Sequence, residues 1–164
     1  MSVSTFVIAS LVIGAGATLL IDLWAMVLRR LGVATLDFAM VGRWAGHLLH
    51  GRLRHAAIAK AQPIRAELMW GWIIHYAIGV LFAALLLAAC GGDWLQSPLL
   101  WPALVVGAGS VVAPLCIMQP AMGAGFAASK TPTPLCNCLR SLVTHMIFGL
   151  GLYLSGLGFS VFAA

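Results

Sequence analysis

Asp22, His75, Gln119 and His145 each interrupt a stretch of residues apolar enough to cross a membrane. Ionisable groups are costly in hydrocarbon, and chains that keep them turn them toward a bundle interior or a water-filled cavity. A carboxylate facing two imidazoles can pass protons, bind a cation or clamp a polar solute. Asp22, His75 and His145 would hold a divalent metal only if all three met at one point. No resident cofactor is expected. The plainer reading is that Asp–His and Gln–His hydrogen bonds brace the helices. Met118 and Met122 flank Gln119 and read as gap-filling core.

A second set lies between the first two apolar stretches. Arg43, His47, His50 and Arg54 recur at helical spacing, opposite Phe38, Val41, Ala45 and Leu48. This predicts an amphipathic helix within about residues 37–60, capped by Thr35 or Asp37 and lying in the headgroup layer. The basic stripe would then contact lipid headgroups or a substrate. Gly42, Gly46 and Gly51 oppose the helix at about 1 kcal/mol each against Ala. His47, His50 and His55 do not have the spacing of a paired-helix metal motif. Cys90, Cys116, Cys136 and Cys138 read as free thiols, since no partners stand at zinc-finger spacing.

The elements that must position these residues follow from composition. The chain has 164 residues, 62% hydrophobic and only 8% charged, and its mean hydropathy is +1.04. A bilayer core needs roughly 20 apolar residues per helix, so four spans use about half of a single transmembrane domain over 1–164. The spans are predicted at about 5–28, 67–90, 99–128 and 138–162, with loops at 29–66 and 129–137. The first is read as a retained helix rather than a secretory signal, because it is span-length and lacks a basic start. Pro114 and Pro120 each remove a donor inside the third span. Trp94 and Trp101 are expected in the outer aromatic belt.

Charge distribution excludes a nucleic-acid partner and sets the topology. Seven of the nine Lys/Arg (Arg29, Arg30, Arg43, Arg52, Arg54, Lys60 and Arg65) fall in the first connection, and Lys130 and Arg140 in or beside the other. Basic loops stay cytoplasmic, which puts both termini on the outer side of the membrane. Anionic headgroups are the natural partner of such loops. The small-residue faces Gly14/Gly16, Gly107/Gly109 and Gly156/Gly158 invite further helix packing, and hence a homo-oligomer.

The two halves resemble each other. Gly14-Ala15-Gly16 matches Gly107-Ala108-Gly109, and the His75–Gly79 segment matches His145–Gly149. Two parallel helix-hairpin repeats would give this pattern. The motifs Gly42-Arg43-Trp44, Gly71-Trp72 with His75-Tyr76, Gln119-Pro120 with Gly123 to Ser129, and Leu139-Arg140-Ser141 with His145 resemble a family of small bacterial inner-membrane proteins catalogued only as a domain of unknown function. The resemblance implies four membrane helices and brings no activity with it. The chain therefore reads as an all-α four-helix membrane bundle, and three functions stay open. The first is a small transporter or permeation unit for a polar solute, ion or proton. The others are a membrane-embedded enzyme or metal protein acting on a lipid-like substrate, and a non-catalytic assembly subunit. The balance leans away from an enzyme.

Overall fold

The computed structural model describes residues 1–163. Its elements are α1 (Val3–Arg30), α2 (Phe38–Leu48), α3 (Glu67–Gln96), α4 (Leu100–Ser110), α5 (Gln119–Met122) and α6 (Pro134–Ala163). Among the described residues there is no strand. Four helical stretches are long and apolar enough to span a bilayer: Val3–Arg30, Glu67–Gln96, Leu100–Met122 and Pro134–Phe162. Gly91, with φ of +73°, breaks α3 where the second span was expected to end.

Two span ends differ from expectation. The third span stops at Met122 rather than running on to Ala128, because Gly123 takes a left-handed φ of +100°. A left-handed glycine is the usual C-terminal stop of a helix. The Ala124 N–H turns back to the Gln119 carbonyl at 2.8 Å. The fourth helix begins at Pro134, four residues before the expected start at Cys138. Proline is favoured in a first turn, where its missing N–H has no helical partner to lose.

Neither proline ends the third span. The segment Ala113–Met118 widens into a π-helix, in which the Gln119 N–H reaches the Pro114 carbonyl. A π-helical turn pairs each N–H with the carbonyl five residues back, so the ladder resumes beyond the proline.

The chain divides into two compact units. The first contains α1, α3 from Tyr76, α4, and α6 from Val143. Its core joins Ala9, Ile13 and Ala17 of α1 to Ala83, Leu86 and Leu87 of α3, Ala103 of α4, and Phe148 and Leu152 of α6. Backbone approaches close enough to exclude a side chain hold these helices. A Cβ on Gly14 would lie 2.5 Å from the Val80 Cα, and one on Gly107 would lie 2.6 Å from the Gly149 Cα. These contacts pair the residues matched between the two halves, Gly14 with the Gly79–Val80 turn and Gly107 with Gly149.

Trp94 departs from its expected place in the belt. It is 4% exposed, with its ring against Gly156 and its N–H on the Leu99 carbonyl at 3.0 Å. The break at Gly91 lets this short segment fold back, so the indole fills core instead. Trp101 is 66% exposed, as a belt residue would be.

The second unit spans Thr35–His75 and Val111–Leu142. It holds α2, the connection to α3, the first turns of α3, the π-helical segment and α5. Asp37 caps α2, accepting from the Ala39 N–H at 2.9 Å.

Gly109, on the helix of Gly107, would meet nothing within 4 Å if given a Cβ. Gly107→Ala should therefore destabilise the protein by about 1–3 kcal/mol through forced separation of α4 and α6. Gly109→Ala should be neutral or up to about 1 kcal/mol stabilising through helix propensity. Thermal unfolding in detergent compares them, and equal effects at both positions would remove the backbone contact as the cause.

Candidate functional site

The first unit carries two polar pairs between membrane helices. The Tyr76 hydroxyl of α3 donates to Asp22 Oδ2 of α1 at 2.9 Å. Ser110, the last residue of α4, lies 2.6 Å from His145 Nδ1 of α6. Its hydroxyl donates to the Gly107 carbonyl at 2.6 Å. A hydroxyl has one proton, so the serine oxygen must accept from the imidazole. That places a His145 proton on Nδ1. Sequence reasoning missed Tyr76 and Ser110 as partners, and the only signal was position: Tyr76 follows His75 on a helical face, and Ser110 sits four residues before Pro114.

The other two expected site residues belong to the second unit. His75 stacks on Phe38 with ring centroids 4.4 Å apart and meets Trp72 edge-on at 5.8 Å. Gln119 follows the π-helical segment, and its Oε1 is buried with no hydrogen-bond partner. Among the described residues, no three His, Cys, Asp or Glu side chains gather as a metal-holding group.

The basic stripe of α2 faces inward over part of its length. Arg43 is 6% exposed and His47 8% exposed, and both are buried within this unit. The Arg43 Nε and Nη2 groups donate to the two Glu67 carboxylate oxygens at 2.9 and 2.8 Å. Its Nη1 lies 3.3, 3.2 and 3.2 Å from the carbonyls of Ile58, Ala59 and Ala61. Glu67 Oε2 also accepts from the Ile64 N–H at 3.2 Å. The Glu67 hydrogen bond holds the guanidinium further above its ordinary pKa, against the opposing effect of burial. One side chain thus joins α2, the 58–61 turn and the start of α3. The sequence signal was that Glu67 and Asp37 are the acids bordering seven cations.

Close backbone contact locks the same junction. A Cβ on Gly42 would collide with the Glu67 carbonyl, and one on Gly71 with the Phe38 carbonyl. The glycines that opposed a helix at the sequence level are what lets α2 lie on α3.

His47 extends this network. Its Nε2 donates to the Gln62 carbonyl at 3.0 Å, and its Nδ1 lies 2.7 Å from His55 Nε2. A neutral His47 with its proton on Nε2 accepts at Nδ1, so His55 donates from Nε2. His55 Nδ1 is then an acceptor, and it is buried with no hydrogen-bond partner. His50 Nδ1 bonds the Gly46 carbonyl at 2.9 Å on the exposed side. Arg54 is exposed and lines a cavity of about 560 Å³ with His55, Cys116, Pro120, Phe126 and Lys130.

Two tied segments shape that cavity. The His55 N–H bonds the Ala121 carbonyl at 2.8 Å, and the Lys130 N–H bonds the Ala124 carbonyl at 2.9 Å. Ala127 and Ala128 adopt left-handed φ of 48° and 60°. For alanine this conformation costs roughly 1–2 kcal/mol per residue. It is held by Cys138 Sγ on the Ala127 carbonyl at 3.1 Å and by Thr131 Oγ1 on the Ala128 carbonyl at 2.7 Å.

An all-α chain with four membrane-length helices, polar pairs between them and a π-helical third span defines a multi-pass membrane protein. Within that class, the chain belongs to the family described as "Protein of unknown function (DUF2938)", whose pattern covers residues 11–158. No curated protein and no solved structure matches it.

Replacing Arg43 by Gln should cost about 3–5 kcal/mol, because Glu67 and three carbonyls lose a buried partner together. Arg43→Lys should not rescue it, since an ammonium cannot reproduce the bidentate fork. In a thermal-unfolding cycle, Arg43→Gln/Glu67→Gln should cost less than the sum of its single variants. Strict additivity would show that the pair is not coupled.

Proposed function

We propose that this protein is a small transport or permeation unit for a polar solute, ion or proton. The observation that carries this reading is the loss of α-helical register between Ala113 and Met118, with Gln119 Oε1 left buried and unbonded beside it. Interrupted helices at polar positions are how transporter folds expose ligating groups at membrane depth. Tyr76–Asp22 and Ser110–His145 add a carboxylate and an imidazole within the spans.

The proposed setting is the bacterial inner membrane, with both termini periplasmic and the 29–66 connection cytoplasmic. The seven basic residues of that connection support this orientation. Self-association is part of the proposal, because Gly109 and Gly158 keep open faces while Gly14, Gly16, Gly107 and Gly156 are filled from within the first unit. Reporter fusions at the C-terminus should be active only in the periplasm. Cytoplasmic activity there would reverse the topology.

Reconstituted protein should raise liposome permeability to protons, to a monovalent cation or to a small neutral solute such as glycerol by about tenfold or more over empty vesicles. Asp22→Asn and His145→Gln should each remove most of that flux, a loss of about 1.4 kcal/mol or more in barrier terms, while unfolding at the wild-type temperature. Vesicles no leakier than empty ones to all three probes would overturn the proposal in favour of an assembly subunit.

A further inference from the structure

The cavity of the second unit has a charge balance that the transport reading does not use. Arg54 and Lys130 both line it, and no acidic residue does. Glu67 is already paired with Arg43, and Asp37 is occupied as the cap of α2. Neither Arg54 nor Lys130 is matched by a carboxylate among the described residues. Two cations held beside the same cavity repel each other, and an anion between them removes that cost. Their backbones are fixed independently, by the His55 N–H on the Ala121 carbonyl and the Lys130 N–H on the Ala124 carbonyl. The two cations therefore stand on separate segments, each tied by a backbone hydrogen bond at or beside the residue.

Further features narrow the ligand. His55, which also lines the cavity, has its Nδ1 buried with no hydrogen-bond partner, a polar atom that the protein leaves unsatisfied. A guanidinium fork beside an ammonium matches a tetrahedral oxyanion of more than one charge. A volume of about 560 Å³ exceeds what inorganic phosphate fills and lies in the range of sites for small organic molecules. Phe126 and Pro120 supply apolar wall for an organic body.

We infer that this cavity binds a phosphate-bearing organic anion, with Arg54 and Lys130 on the phosphate and Phe126 against its carbon portion. The same chemistry is offered by a soluble phosphomonoester and by the headgroup of an anionic phospholipid. The inference stands apart from transport, because it concerns binding alone.

The test uses the full-length protein in phosphatidylcholine nanodiscs, followed by tryptophan fluorescence on heating. Glycerol 3-phosphate supplies the soluble arm, and nanodiscs containing phosphatidylglycerol supply the lipid arm. Either source, near ten times its Kd, should raise the unfolding temperature by about 3–5 °C. A rise with glycerol 3-phosphate identifies a soluble ligand, and a rise with phosphatidylglycerol only identifies a headgroup. Arg54→Gln/Lys130→Gln should abolish the rise while unfolding at the wild-type temperature without ligand, since neither side chain has a protein partner to lose. Arg52→Gln, at an exposed neighbour outside the lining, should retain it. No rise in either arm, or an undiminished rise in the double variant, overturns the inference.

Discussion

Hydrocarbon offers no hydrogen bonds, so every polar group on a membrane-length helix has to be met from within the chain. Lipid tails are also as apolar as leucine, which removes the usual drive to press helices together. The first unit answers both demands with the same residues. Gly14 and Gly107 let backbones meet, and their carbonyls accept from Thr18 and Ser110 on the next turn. Because Ser110 gives its proton away along its own helix, its oxygen is left to accept across to α6. Helix contact and the direction of the hydrogen bond across it are therefore set by one arrangement.

The second unit relies on charge instead. The 58–61 turn presents carbonyls that no sheet and no long helix can use. A guanidinium satisfies several of them at once while its fork engages Glu67. Arginine at this position does the work of secondary structure in a segment with little of its own. A lysine would bring the charge without the geometry.

Length and hydropathy were enough to place the four long helices, because a bilayer imposes its thickness on any chain that crosses it. The ends went astray where backbone conformation decides. Gly123 stops the third span by turning left-handed, and Pro134 opens the fourth because a first turn tolerates it. The amphipathic segment was legible as a helix, but its orientation was not. Periodicity shows that Arg43 and His47 share a face and cannot show that the face turns inward toward Glu67. At the polar positions, Asp22 and His145 stood out by being rare in an apolar run. Tyr76 and Ser110 did not, because a tyrosine or a serine in a membrane helix costs little and becomes visible only when a neighbour bonds it.

The interlocked glycines between α2 and α3 have a consequence for biosynthesis. Gly42 rests on the Glu67 carbonyl and Gly71 on the Phe38 carbonyl, so each helix supplies the surface on which the other sits. A ribosome makes α2 well before it makes the first turns of α3. The newly made connection must wait at the membrane surface, without its docking partner, until the second span has been delivered to the bilayer. Until then Arg43 has no Glu67 to bond, and α2 lacks the backbone surface that Gly71 provides. The order in which the spans enter the membrane, as much as their final contacts, governs when this half of the protein becomes a folded object.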